Sequence, residues 1–162
     1  SGYIPMGGLI VSDKVFDVVK AAGDFNHGFT YSGHPVAAAV ALENIRILRE
    51  EQILERVRAE TAPYLQKRLR ELLDHPLVGE VRGVGMLGAI ELVKDKASRA
   101  RYAGKGAGML CRGHCFENGL IMRAVGDTMI IAPPLVISQA EIDELVSKAR
   151  LCLDLTLKDL QG

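Results

Sequence analysis

The chain has 162 residues, 48% hydrophobic and 25% charged, a balance that suits a soluble globular unit able to bury a core. Its 20 basic and 20 acidic residues cancel, so no broad field recruits nucleic acid or an anionic membrane, and a small, locally recognised ligand fits better. Purely apolar runs such as residues 36–42 fall far short of the ~20 residues that span a bilayer, and three cysteines without a framework spacing favour a reducing compartment over a secreted disulfide scaffold.

Ser1-Gly2-Tyr3 offers no initiator methionine, no basic n-region and no apolar h-region, so the expectation is a processed chain or a fragment. Residues 3–11 read as a strand or hairpin, with Pro5 and Gly7-Gly8 forcing a turn or an edge position. Ser12-Asp13 then opens a short helix to about Ala22. The polar loop His27-Gly28-Phe29-Thr30-Tyr31-Ser32-Gly33-His34 feeds a helix that starts at Pro35, whose missing N–H is harmless at the first helical position. Free N–H groups and the positive end of the helix dipole make such a start an anion site, to which the Thr30 or Ser32 hydroxyl adds a directed bond. A capped helix with a closely packed alanine face satisfies the same spacing.

The stripe Val36, Ala39, Val40, Ile47 and Leu48 predicts a buried connecting helix. A second helix is expected over about residues 51–73, with Ile53, Val57, Tyr64, Leu65, Leu69 and Leu72 on its apolar side and Pro63 kinking or interrupting it. Residues 78–82 and 86–93 then read as a hairpin. Gly83, Gly85 and Gly88 match the spacing of a dinucleotide-binding fingerprint, but that fingerprint needs a helix opening at the glycines, and here a strand follows. Residues 94–105 read as a charged loop or weak helix. A helix over 107–118 should end at Gly119 as a left-handed cap. Cys111 and Cys115, one helical turn apart beside His114, lack the second pair that a zinc site needs, so no metal is expected.

Residues 120–123 and 128–132 read as two strands joined at Gly126-Asp127, with Arg123 at a strand end, where its fork suits a carboxylate, although the residues alone favour an ordinary exposed arginine. Ser138-Gln139-Ala140-Glu141 forms a capping box for a terminal helix whose apolar face is Ile142, Leu145, Val146, Ala149, Leu153 and Leu157. The fold class is α/β, with a small mixed or mainly antiparallel sheet.

Four of these stretches carry a resemblance. Residues 27–35 resemble the HGxTYxGxP segment of the class III, fold-type I, pyridoxal-phosphate-dependent aminotransferases; residues 2–8 resemble their GYxPxGG segment, and residues 81–92 their VRGxGxxxGIEL-like strands. The resemblance implies that Thr30 and the amide at Phe29 bind the phosphate of pyridoxal 5'-phosphate held by a partner subunit, in a homodimer or dimer of dimers. Residues 119–127 are similar to the stretch of ω-amino acid:pyruvate aminotransferases whose arginine grips the substrate carboxylate and swings aside for uncharged substrates, which assigns that role to Arg123. Ornithine and acetylornithine aminotransferases carry an arginine just ahead of an APPL-like segment, where this chain has Ile130.

The implied reaction transfers an amino group from an amine or ω-amino acid donor to pyruvate or another keto acid in a cytoplasmic enzyme. In the family the Schiff-base lysine precedes GYxPxGG, so it is expected before Ser1; no catalytic residue is assigned here, and the isolated chain is expected to be inactive. Residues 1–51 would then be the end of the large cofactor-binding domain with its connecting helix, and 52–162 the C-terminal small domain. A decarboxylase or mutase of the same class, or a non-catalytic fragment, are the alternatives.

Overall fold

The computed structural model describes residues 2–102, 104 and 106–162; Ser1, and Ala103 and Lys105 of the expected 94–105 loop, lie outside the described residues. The backbone divides into two units between Gln52 and Ile53.

The first unit holds helices α1 (Asp13–Ala21) and α2 (Pro35–Glu50). Residues 2–12 form no strand, contrary to the expectation for 3–11. Strand-forming residues become a strand only when a neighbour completes their ladder, and among the described residues none pairs with them. Helix α2 begins at Pro35 as expected, yet Ala37 is its one buried residue, and Val36 is 55% exposed. The "buried helix" expectation therefore fails: its stripe has the right period, but within this unit little chain is available to cover it.

The second unit starts with α3 (Ile53–Arg56), a π-helical turn (Val57–Thr61) and α4 (Ala62–Arg70), and closes the run with a 3-10 turn (Glu71–Asp74). The expected single helix is thus interrupted just ahead of Pro63. A proline ring crowds the carbonyl four residues back and offers no N–H to it, and the chain absorbs this by widening one turn, with the Ala62 N–H donating five residues back to Val57. Four strands follow, β1 (Val78–Val84), β2 (Leu87–Leu92), β3 (Arg123–Val125) and β4 (Thr128–Ile131), in the antiparallel order β1-β2-β4-β3. Helix α5 (Ala107–Glu117) lies between the two hairpins in sequence, and α6 (Gln139–Gln161) ends the chain.

Burial alternates along the strands. Ile90, Leu92, Met129 and Ile131 turn inward to a core with Leu65, Leu69 and Leu72 of the α4 segment, Cys111 and Cys115 of α5, and Ile142, Val146 and Leu153 of α6. The opposite face of the sheet carries Arg82, Val84, Leu87, Glu91 and Arg123.

Each hairpin turn is two residues long and opens with a glycine at positive φ, Gly85 at 58° and Gly126 at 56°. Gly83 and Gly88 serve close approach instead: a Cβ on Gly88 would stand 2.5 Å from Leu69 Cδ1, and one on Gly83 2.4 Å from the Leu87 carbonyl oxygen. The glycine triplet is therefore a hairpin device with α4 laid against it, and Gln66 fastens the contact by donating to the carbonyls of Gly85 and Leu87, both at 2.9 Å.

The capping box forms in full: the Ser138 hydroxyl accepts from the Glu141 N–H at 3.2 Å, and the Glu141 carboxylate accepts from the Ser138 N–H at 2.7 Å. Among the described residues no helix is long and apolar enough to cross a membrane.

Candidate functional site: a phosphate-type loop and an unpaired arginine

In the first unit, the loop ahead of α2 is organised by short-range bonds. The Ser32 N–H donates to the Phe29 carbonyl at 2.9 Å, and the Ser32 hydroxyl accepts from the Phe29 N–H at 3.1 Å. A reverse turn over residues 30–33 results, closed by Gly33 at φ +71°. The rings of Phe25, His27 and Phe29 line up at alternate positions, His27 meeting Phe29 edge-on at 5.3 Å between centroids. Ser32 thus holds the Phe29 amide, while among the described residues the Thr30 hydroxyl and N–H have no hydrogen-bond partner.

At the start of α2 the Ala38 N–H bonds back to the His34 carbonyl at 3.0 Å, and no side chain caps the helix. Pro35 has no N–H, so the Val36 and Ala37 N–H groups are the first-turn donors left over. No carboxylate occurs between Phe25 and Leu42. Unused donors at a helix start, with no competing acid, form an environment that fits a phosphate group. Segment 5–9 lines one open cleft of about 640 Å³ in this unit together with His27, Phe29, Tyr31, Ser32, Gly33 and His34 of the loop; Thr30 is not on its wall.

In the second unit, Arg123 is the first residue of β3, not the last residue of a preceding strand as expected. Residues 120–122 alternate in burial as a strand would, but only 123–125 pair with β4. Arg123 lies opposite Ile130 on the sheet face away from the core, with Ile121, 82% exposed, and Val125, 49% exposed, two residues to either side. Among the described residues its guanidinium makes neither a hydrogen bond nor an ion pair.

The same face holds a second group of arginines that sequence reading did not single out. Arg82 binds Glu91 at 2.8 Å and Glu80 at 3.5 Å, Arg101 reaches Glu91 at 3.5 Å, and Arg99 reaches Glu80 at 3.4 Å. The hairpin register was the available signal, since it sets Arg82 beside Ala89 and Glu80 beside Glu91. Arg82 holds the Glu91 carboxyl below the usual carboxylate range.

Asp127 is another residue without a local signal. Its carboxylate accepts from the Gly108 N–H at 3.0 Å and so caps α5 from a turn 19 positions away, while its carbonyl accepts from the Leu92 N–H at 2.8 Å. These two bonds fix the turn that follows β3, and with it the strand that bears Arg123. Cys111, Cys115 and Cys152 are free and buried, and among the described residues no three metal-ligating side chains gather.

The first unit thus offers a helix-start loop with unused donors, and the second an arginine without a partner among the described residues on a small antiparallel sheet. The chain belongs to the class III aminotransferases, whose family model, Aminotransferase class-III, matches residues 1–153. It is 72% identical over 156 residues to the putrescine–pyruvate aminotransferase of Pseudomonas aeruginosa, covering 96% of this chain and 34% of that protein. It is 41% identical over 151 residues to gamma aminobutyrate transaminase 1, mitochondrial, of Solanum lycopersicum, covering 90% of this chain and 29% of that protein.

Among solved structures, a transaminase from directed evolution by ancestral reconstruction superposes with a TM-score of 0.89 at 44% identity, covering 97% of this chain and 36% of that one. The omega transaminase of Pseudomonas jessenii in complex with PMP does so with a TM-score of 0.81 at 42% identity, over 91% of this chain and 32% of that one. The chain spans about a third of the length of these relatives.

Proposed function

We propose that this chain supplies phosphate-binding and carboxylate-binding parts of a pyridoxal-phosphate-dependent aminotransferase that moves an amino group from a diamine, ω-amino acid or other amine to pyruvate or another keto acid. When bound, the cofactor supplies an electron sink for the exchange of the amino group. Thr30 donates its hydroxyl and N–H to the cofactor phosphate. The Phe29 amide joins it once Ser32 yields, and the Val36 and Ala37 N–H groups add the field of the helix start. No lysine of this chain is given the Schiff-base role. The observation that carries the reading is Arg123, a guanidinium on an apolar part of the sheet with no counter-charge among the described residues, whose fork is suited to grip the keto-acid carboxylate with two parallel bonds.

Residues 1–51 act as the end of the large cofactor-binding domain with its connecting helix, and 52–162 as the small domain. The working enzyme is a homodimer or dimer of dimers in the cytoplasm. Exposed apolar side chains such as Leu9 at 88%, Ile10 at 99% and Tyr31 at 83% support an assembly that covers them, and three free, buried cysteines suit a reducing compartment. The test is the holoenzyme that carries this chain, given putrescine and pyruvate: alanine should form in step with diamine loss. Amine chemistry that consumes no keto acid would overturn the reading and point to a decarboxylase or mutase.

A further inference from the structure

We propose that Ile130 is a positioning residue whose apolar side chain leaves Arg123 without a partner among the described residues and so presents the guanidinium to a substrate carboxylate; the inference rests on the carboxylate role proposed above for Arg123. The register runs Arg82, Ala89, Ile130, Arg123 straight across β1, β2, β4 and β3, so these four side chains share one row of the outer face. Directly opposed residues on one face stand about 5 Å apart at Cβ, near enough for a charge at position 130 to meet Arg123. Ile130 puts hydrocarbon there, and Ile121 and Val125, two residues to either side of Arg123, do the same along the chain.

The carboxylates of this face are held elsewhere. Glu91 is bound by Arg82 and Arg101, and Glu80 by Arg82 and Arg99. Glu91 pairs in register with Thr128, which pairs with Val125, so it sits two strands away and one row over from Arg123. Asp127, near in sequence, is turned to the Gly108 N–H. An arginine that had an internal carboxylate would have to give it up before binding a substrate, and the exchange would cancel most of the gain. Ile130 removes that exchange at the one position where the sheet would otherwise place a partner.

The experiment is the specificity ratio in the holoenzyme, kcat/KM for pyruvate divided by kcat/KM for an aldehyde acceptor, measured for Ile130→Glu, Ile130→Gln and Ile130→Leu beside Arg123→Ala. The aldehyde reaction normalises each variant for folding and cofactor content. Ile130→Glu should lower the ratio about tenfold or more, chiefly through KM for pyruvate, while Ile130→Gln stays within about threefold and Ile130→Leu matches the parent. Equal losses in the Glu and Gln variants would show that shape alone matters at position 130, and an unchanged ratio in Ile130→Glu would show that no charge there reaches Arg123; either result overturns the inference. If at the same time Arg123→Ala collapses the ratio, the role of Arg123 stands and only the inference about Ile130 falls. A ratio unmoved by Arg123→Ala removes both.

Discussion

Replacing Gly108 by alanine sets two opposed effects against each other, and the packing of α5 decides between them. In an exposed helix alanine exceeds glycine by about 0.8–1 kcal/mol, so propensity alone predicts stabilisation. At Gly108, however, the new Cβ would lie 2.1 Å from the Gly126 carbonyl oxygen and 3.0 Å from Asp127 Cα. Both atoms belong to backbone in a tight turn, which cannot rotate away as a side chain can. Helix and turn must separate by about 1 Å, a displacement of the overpacking kind that costs about 1–3 kcal/mol. It also lengthens the Gly108 N–H bond to the Asp127 carboxylate, a charge-assisted bond on the scale of ~1.5 kcal/mol where half buried.

The expected balance is a net loss of about 2 kcal/mol for Gly108→Ala. Gly113, in the same helix, has nothing within 4 Å of its would-be Cβ, and Gly113→Ala should stabilise by about 0.5–1 kcal/mol. Urea denaturation of the chain, followed by far-ultraviolet circular dichroism, reads both; with a slope of ~2 kcal/mol per molar, Gly108→Ala lowers the midpoint by about 1 M. A Gly108→Ala chain at least as stable as the parent would refute the close docking of α5 on the turn that bears Arg123's strand.

Thr30→Ala should weaken pyridoxal-phosphate affinity in the holoenzyme by about 1–3 kcal/mol, the scale of a charge-assisted hydrogen bond, as measured by cofactor titration; unchanged affinity removes Thr30 from the site. His75 is buried, its Nδ1 accepting from the Leu77 N–H at 3.1 Å and its Nε2–H donating to Asp154 at 3.1 Å, and burial pushes its pKa below the ordinary imidazole value of about 6.5. The unfolded chain therefore takes up the proton at higher pH than the folded one, so stability falls as pH drops below about 6.5 and levels off below the folded pKa. Urea midpoints across that range should show a slope that His75→Leu lacks, and parallel slopes would exclude His75 as its source. Cys111, Cys115 and Cys152 are all buried, and the Cys111 thiol together with burial holds Cys115 well above the usual thiol range, so a thiol reagent should label them only as the fold opens. Rapid labelling under native conditions would contradict that core.

Wherever a feature is set by neighbours in sequence, the chain announces it. The Ser138–Glu141 box, the left-handed cap at Gly119 and the inward faces of α4 and α6 depend on spacings of three and four residues, and all are present. The rejection of the glycine triplet as a nucleotide fingerprint followed from the strand after it and agrees with the β1–β2 hairpin. What stayed hidden depends on partners distant in sequence. Residues 3–11 have the composition of a strand but no ladder to join among the described residues, and β3 starts at Arg123, later than expected, because pairing with Ile130 rather than propensity defines its start. The Asp127 cap on α5 spans 19 residues, and no local pattern encodes it. At the two candidate sites, one in each unit, Thr30 and Arg123 were legible as residue types in motifs. The sequestration of Glu80 and Glu91 by Arg82, Arg99 and Arg101, which leaves Arg123 unpaired, required the register of four strands.

Acceptor discrimination by Arg123→Ala in the holoenzyme decides whether Arg123 is held free to bind a carboxylate. Loss of a bidentate, charge-assisted pair should lower kcat/KM for pyruvate by about 10- to 100-fold while an aldehyde acceptor changes by no more than about threefold, with Arg123→Lys between because a point charge replaces the fork. Equal losses on pyruvate and aldehyde would make Arg123 a structural arginine with no hold on the substrate carboxylate.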